Sequence, residues 1–142
     1  MIYRNLLCCG ETEIQQVLDH SGENFLCKIA DKIGSKNEMI AMHSIYVVSC
    51  IASGNQTQKK IALEDRFLKR AITRMEETDS SKIKIAVLNL IMNLAFKEGE
   101  TEGRARKMMN EMKIKDKIRV MKEKERDIEV KSYIDRALKS LD

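Results

Sequence analysis

The feature that most constrains this chain is an internal repeat of about 43 residues. Shifting the segment IAMHSIYVVSCIASGN (40–55) by that distance places it on IKIAVLNLIMNLAFKE (83–98). The shift pairs apolar residues with apolar residues: Ile40 with Ile83, Ile45 with Leu88, Val48 with Ile91, Ile51 with Leu94 and Ala52 with Ala95. A further shift of the same size pairs Val87 with Val130, Ile91 with Ile134 and Leu94 with Ala137. A period in this range is typical of helical repeats that stack into a solenoid, where each unit buries its neighbour's apolar face.

Each copy divides into three segments with helical spacing. The longest has an apolar face, formed in one copy by Ile83, Val87, Leu90, Ile91 and Leu94, and it ends near a glycine, Gly54 or Gly99. A short helix with a polar start follows. Then comes a second helix, formed by Phe25, Leu26, Ile29 and Ile33 in one copy and by Phe67, Leu68, Ile72 and Met75 in the next. The segment TDSS (78–81) offers an N-cap for the next long helix.

Composition favours the same all-α class. Proline is absent, glycine occurs only six times, and aromatic residues make up 4% of the 142 residues. The chain therefore has few residues that end helices, and its core must be mainly aliphatic. A chain of this length forms about one domain.

Several stretches carry a family resemblance. NLLCCGETEIQQVLD (5–19) resembles the end of one armadillo repeat followed by the start of the next, while SCIASGNQTQKKIA (49–62), FLKRAITRMEE (67–77) and AVLNLIMNLA (86–95) resemble one continuous armadillo unit. The resemblance covers nearly the whole chain and implies a right-handed α-solenoid of armadillo-type three-helix repeats. It implies a single domain, 1–142, with a partial third helix at 2–9 and repeats at about 11–53, 55–97 and 101–141. The proline usual near the start of the second helix is replaced around Asn24 and Asp65, which predicts a softer kink there.

The resemblance also implies a function, that of a non-enzymatic, eukaryotic-like scaffold or adaptor that binds a protein or peptide segment on its concave face. In armadillo proteins that bind extended peptides, an Asn near the end of each third helix bonds the peptide backbone, since a side-chain amide both donates and accepts. The matching positions are Asn5, Cys50, Asn93 and Arg136. The aromatic position one turn earlier maps onto Met1, Tyr46, Asn89 and Ser132, of which only Tyr46 has a ring. The alternative interpretation of these residues is plain helix surface.

A second hypothesis is binding of nucleic acid or an acidic partner through the basic segment KMMNEMKIKDKIRVMKEKER (107–126). The cations that would serve it are Lys113, Lys117, Arg119 and Lys122. Acidic residues interrupt this segment and no aromatic residue is available to stack on a base, which makes nucleic acid the weaker hypothesis. The repeat frame puts most of the segment in a second helix on the convex side. Its apolar residues, Met108, Met109, Met112, Ile114, Ile118 and Met121, are then expected to be the core stripe of that helix.

No enzyme or metal motif is present. The two histidines, His20 and His43, have no nucleophile or ligand pattern around them, so we expect no catalytic residues, metal or cofactor. The four cysteines, Cys8, Cys9, Cys27 and Cys50, lack metal-ligand spacing and are expected to be reduced and buried, with a strained Cys8–Cys9 disulfide as the alternative. No signal peptide or membrane-spanning run is evident. These features predict an intracellular protein, cytoplasmic or nuclear.

The N-terminal edge is the last feature. Residues 1–9 are mostly apolar and carry one charged side chain, Arg4, whereas terminal solenoid repeats need a polar outer face. The sequence therefore predicts that the chain is a C-terminal fragment, of about three repeats, of a longer solenoid, or that this edge self-associates or docks on another subunit.

Overall fold

A computed structural model describes residues 11–95 and 101–142. Within these ranges the chain forms helices and no strands. In chain order they are α1 (Glu11–Ile33), α2 (Glu38–Ala52), α3 (Gln56–Ala62), α4 (Asp65–Glu77), α5 (Ser81–Ala95), α6 (Thr101–Glu111), α7 (Ile114–Lys124) and α8 (Ile128–Leu141). The expected partial helix at 2–9, together with Met1, Asn5, Cys8, Cys9 and Gly99, lies outside the described residues.

Helices about 43 positions apart hold corresponding places, and we propose that they form three units. Repeat 1 comprises α1 and α2, repeat 2 comprises α3, α4 and α5, and repeat 3 comprises α6, α7 and α8. We call α2, α5 and α8 the third helices. They pack side by side in one layer, with α5 in the middle.

The first and second helices of each unit are separated by a break, although the chain has no proline. In α1 the break is at Gly22, whose φ of 64° and ψ of −164° are accessible essentially only to glycine. In repeat 3 it is at Lys113, which has a left-handed φ of 53°. In repeat 2 α3 ends at Ala62 and α4 begins at Asp65. Local backbone conformations therefore make the break that proline makes in the armadillo repeats that the sequence resembles.

Polar side chains mark the helix starts. Asn37 accepts from the backbone N–H groups of Met39 and Ile40 at the start of α2. Asn55 and Gln58 form a reciprocal capping box at the start of α3. The N-cap predicted in TDSS is confirmed, because the Ser80 hydroxyl accepts from the Ile83 N–H at 3.4 Å.

The core lies where the third helices face one another and the second helices. Most residues paired by the repeat are buried: Ile45, Val48 and Ile51 in α2; Leu88, Ile91 and Leu94 in α5; Ile134 and Ala137 in α8. Ile40, at 43% exposure, and the half-buried Ala95 are the exceptions. Burying one large aliphatic side chain contributes about 1.5–3 kcal/mol. Truncating a central one such as Ile91 to alanine is expected to cost about 2–5 kcal/mol.

Polar contacts between repeats follow the same register. The Gln58 side chain is fully buried and donates to Gln15 Oε1, 43 residues earlier, at 3.2 Å. The amide is therefore satisfied by the neighbouring repeat, which removes most of the cost of burying it. At the second helices Arg66 pairs with Glu23, and Arg70 Nη1 lies 3.1 Å from Asp31 Oδ1.

Two predictions need correction. Cys50 is buried, but Cys27 is exposed beside Arg66 and Glu23, because it lies on the polar side of α1 rather than among its core residues. Neither Cys27 nor Cys50 forms a disulfide bond. In the basic segment, Met108 and Met109 belong to α6, and the second helix begins only at Ile114. The expected apolar stripe is thus shared between two helices, with Met109, Ile114 and Ile118 buried.

Candidate functional site

The layer of third helices brings the predicted groove residues of repeats 1 to 3 into neighbouring positions. One row contains Tyr46, Asn89 and Ser132, about 43 residues apart on α2, α5 and α8. Tyr46 and Asn89 are half-buried and Ser132 is exposed. The row offers one ring, one amide and one hydroxyl across the layer.

The second row contains Cys50, Asn93 and Arg136, one turn further along each helix. The Asn93 amide donates from Nδ2 to the Ser49 carbonyl oxygen at 3.0 Å and to Ser49 Oγ at 2.9 Å. Its donor capacity is therefore used to join α5 to α2, which leaves Oδ1 to accept from a partner. Cys50 exposes 8% of its surface and offers a partner little contact area. Arg136 is exposed, and its guanidinium carbon lies 5.0 Å from the centre of the Tyr133 ring.

The sequence hypothesis missed an apolar row on the same layer. Met42, Ile85 and Ile128 precede the first row by one helical turn, so they share its helix faces. Met42 is buried and Ile85 half-buried, whereas Ile128 is 84% exposed. The signal was available, because the three residues are related by the same shift of about 43 positions.

A groove of about 310 Å³ continues this row between the first turns of α2 and α5. Its apolar wall is formed by Met39 and Met42, and Met39 is about half exposed. Ser81 and Lys82 line the opposite side. A partner chain crossing the third helices would thus meet an apolar pocket at one end of the layer and the rows of polar side chains beyond it.

The junction between α5 and α8 is strongly polar. Lys84 Nζ lies 2.8 Å from Glu125 Oε2, with 15% and 7% of the two side chains exposed. Burial works to raise the pKa of Glu125, but the hydrogen bond and charge of Lys84 and two backbone N–H groups together hold it below its ordinary value. Ser81 Oγ donates to Asp127 Oδ2 at 2.9 Å, and this bond, with those from backbone N–H groups of α8, lowers the pKa of Asp127. These contacts fix the start of α8 against α5.

The cations of the basic segment lie on a different surface and are largely paired. Lys117 Nζ is 3.0 Å from Glu76 Oε1, and Lys122 Nζ is 2.6 Å from Asp135 Oδ1. Arg119 Nη1 is 3.6 Å from Asp116 Oδ1. Lys113 is exposed at the break between α6 and α7. Carboxylates beside these cations compete with phosphate groups, which reduces the attraction of this segment for nucleic acid.

Residues 11–95 and 101–142 contain neither a membrane-spanning helix nor a metal-binding cluster. No helix in these ranges combines the length and the apolar character needed to cross a membrane. No group of three or more His, Cys, Asp and Glu residues there is arranged to hold a metal ion.

No protein-family model and no curated protein matches the sequence. The structure is similar to a designed armadillo repeat protein, YIII(Dq.V1)4CPAF, in complex with the peptide (KR)4, with a TM-score of 0.83 at 16% identity. It is also similar to the designed armadillo repeat protein YIII(Dq)4CqI, with a TM-score of 0.76 at 17% identity. Each likeness covers 99% of this chain and 55% of the solved chain, so this chain spans about half their length. The armadillo resemblance and the all-α solenoid inferred from the sequence are therefore confirmed, and this chain has the armadillo-repeat fold.

Proposed function

We propose that the chain is a non-enzymatic protein-binding scaffold or adaptor that holds an extended segment of a partner protein on its layer of third helices. The observation that carries the proposal is the alignment of partly exposed side chains across α2, α5 and α8. Tyr46 and Ile128 supply apolar contact area. Asn89 supplies an amide group that matches the backbone of an extended segment, and Asn93 supplies its Oδ1 as an acceptor.

The likeness to a designed armadillo protein in complex with a peptide supports the class of partner. An intracellular location, cytoplasmic or nuclear, is part of the proposal, and the reduced state of Cys27 and Cys50 is consistent with it. Self-association through residues 1–9 stays a prediction, since those residues lie outside the described part of the chain.

The test begins with a partner captured by the intact chain and identified by mass spectrometry. Its binding segment is then measured against Ile128→Ser and against Val120→Ser as the matched control. Both residues are exposed β-branched side chains of repeat 3, at 84% and 51%, but Val120 lies on α7. Loss of a central apolar contact is expected to weaken binding about tenfold, or about 1.4 kcal/mol, in the α8 variant alone.

Two further variants separate the groove from the basic segment. Tyr46→Ala removes the only ring of the aligned row and is expected to weaken binding about tenfold. Charge reversal at Lys113 and Lys117 is expected to leave affinity within about twofold, because these residues lie away from the third-helix layer. If the charge reversal abolished binding and added salt weakened it steeply, while Tyr46→Ala and Ile128→Ser bound as wild type, the basic segment would be the working surface.

A further inference from the structure

A second surface lies at the outer side of repeat 1, at the edge of the layer of third helices. We call it the end groove. It has a volume of about 550 Å³ and runs between α1 and α2. Its floor is apolar, with Phe25, Ile29 and Val47 almost fully buried, and Ile40 is 43% exposed at its side.

The repeat itself shows what this surface corresponds to. The groove residues of α1 and α2 are related by about 43 positions to residues of repeat 2 that are covered by repeat 1. Phe25 corresponds to Leu68, Ile29 to Ile72, Val47 to Leu90 and Ile40 to Ile83, and all four residues of repeat 2 are at most 1% exposed. In repeat 2 the covering elements are helices, which pack along the whole surface. The end groove therefore has the shape of a surface that receives a helix.

The rim of the groove differs from the corresponding part of repeat 2, because basic residues replace buried apolar ones. Lys28, Lys32 and His20 are exposed at the rim, where repeat 2 has the buried residues Ala71, Met75 and Leu63. Among the described residues that line the groove none is acidic. The nearby carboxylate of Asp31 points to Arg70 of repeat 2. The result is an apolar floor flanked by two lysines, Lys28 and Lys32, one helical turn apart.

We propose that the end groove binds an amphipathic helix of a partner protein whose apolar stripe is flanked by acidic side chains. Lys28 and Lys32 are one turn apart on α1, so carboxylates four residues apart on the bound helix face both. Both lysines lie in the helical segment after the break at Gly22, so together they face about 6 Å, or roughly one turn, of the bound helix. The apolar floor supplies affinity and the rim supplies the choice of partner.

Neither of the two nearest alternatives matches the charge of the rim. A second copy stacked end to end would present the outer side of repeat 3, where the buried Leu88 of repeat 2 corresponds to the exposed Lys131. The same side has Arg119 at the position of Glu76, which in repeat 2 pairs with repeat 3. Lysine would then face lysine. Residues 1–10 of this chain carry one charged side chain, Arg4, which offers the rim no carboxylate.

The probe is a synthetic helical peptide of about 14 residues with leucines along one face and glutamates four apart beside them. Its control is the same peptide with lysines in place of the glutamates. Binding to the intact chain is measured by fluorescence anisotropy. The acidic peptide is expected to bind at least about tenfold more tightly than the lysine peptide, and less tightly as salt shortens the range of charge attraction.

Variants then locate the site. The double reversal Lys28→Glu and Lys32→Glu is expected to weaken the acidic peptide at least about tenfold, since it replaces two attractive contacts by repulsive ones. The matched control reverses Lys131 and Lys139, two exposed lysines of α8, and is expected to bind as wild type. All four side chains are exposed, so circular dichroism and thermal unfolding should be unchanged.

A third arm removes residues 1–10. If the intact chain ignored the acidic peptide and the shortened chain bound it, the groove would be filled by the chain's own N-terminal segment and the proposal would be wrong. The same conclusion follows if the lysine peptide bound equally well, or if the Lys28 and Lys32 reversal bound like the α8 control. Peptide-independent dimerisation that required the groove lysines would assign the surface to a second copy.

Discussion

Replacing Lys84 by methionine is the sharpest test of how the repeats are joined. Lys84 lies on α5 and pairs at 2.8 Å with Glu125, the C-cap residue of α7, which precedes α8. Only 15% and 7% of the two side chains are exposed. Methionine keeps most of the volume of the lysine stem but removes its charge. The carboxylate of Glu125 is then left buried without its strongest partner.

The expected loss follows from that burial. Breaking a buried ion pair by removing one partner costs about 3–5 kcal/mol, and the partial exposure of Lys84 places this one near about 3 kcal/mol. The matched control is Lys117→Met. Lys117 also joins repeats 2 and 3, through Glu76 at 3.0 Å, but 37% and 48% of these side chains are exposed. An exposed pair of this kind contributes at most about 1 kcal/mol.

The pH dependence gives an independent check. The pKa of Glu125 is held below its ordinary value of 4.5. A lowered carboxyl pKa contributes stability that is present above about pH 4.5 and is lost as the pH falls through the folded-state pKa. In the Lys84→Met protein, burial without the lysine raises the pKa of Glu125, so acid neutralises the unpaired charge. The difference in stability between the two proteins should therefore be largest near neutral pH and narrow in acid.

The assay is urea unfolding followed by far-UV circular dichroism, with the slope of the transition checked for equality among the proteins. Glu125→Gln completes the set, because its remaining oxygen still accepts from the N–H groups of Arg126 and Asp127. The flexible stem of Lys84 lets the ammonium group reach water, so this variant should lose only about 1 kcal/mol. Losses within about 0.5 kcal/mol of each other for Lys84→Met and Lys117→Met would refute the reasoning from burial.

Three further outcomes are expected. Asn93→Ala should lower the free energy of unfolding by about 1–2 kcal/mol, and Ser49→Ala by about 0.5–1.5 kcal/mol, because hydrogen bonds of the Asn93 side chain to Ser49 join α5 to α2. Urea unfolding measures both losses, and variants as stable as wild type would contradict a stabilising role for these hydrogen bonds. Gly22→Ala should lower the melting temperature, because an alanine held at a φ of 64° carries about 1–3 kcal/mol of backbone strain. No neighbouring atom lies within 4 Å of the added β-carbon, so the effect should come from the backbone alone. In the native chain a thiol reagent should modify Cys27 rapidly and Cys50 only on unfolding, as mass spectrometry of the labelled peptides will show.

Much of the fold was predictable because solenoid repeats bury the same positions again and again. The shift that paired Ile45 with Leu88 needed no structure, and both residues are fully buried. The start of α5 was predictable too, since the serine cap of TDSS acts over only three residues. The candidate site was less predictable. Asn93 was placed at the correct helix position, but its hydrogen bonds to Ser49 depend on the distance between two helices and on a side-chain rotamer. Neither quantity is contained in the period.

The charged residues also show what the sequence alone could not predict. A dense basic segment suggested a surface for phosphate groups, yet Lys117 finds its carboxylate in the preceding repeat. Local counting of charges cannot detect that pairing, because the partner is brought close only by stacking of the units. Once the repeat is known, each residue can be compared with its counterpart in the neighbouring unit, and differences between units become visible in the sequence.

This comparison separates the positions that stacking requires from the positions that differ between repeats. Positions that stay apolar and buried in every unit carry stability, as Val48, Ile91 and Ile134 do. Positions where one unit departs from the others cannot be required by the stacking itself. Ile128 is exposed where Met42 is buried, and Lys28 is exposed where Ala71 is buried. The first departure adds apolar area to the layer of third helices and the second adds charge to the end groove. Positions where one repeat differs from the others are therefore the best candidates for functional residues, and both proposed surfaces contain such positions.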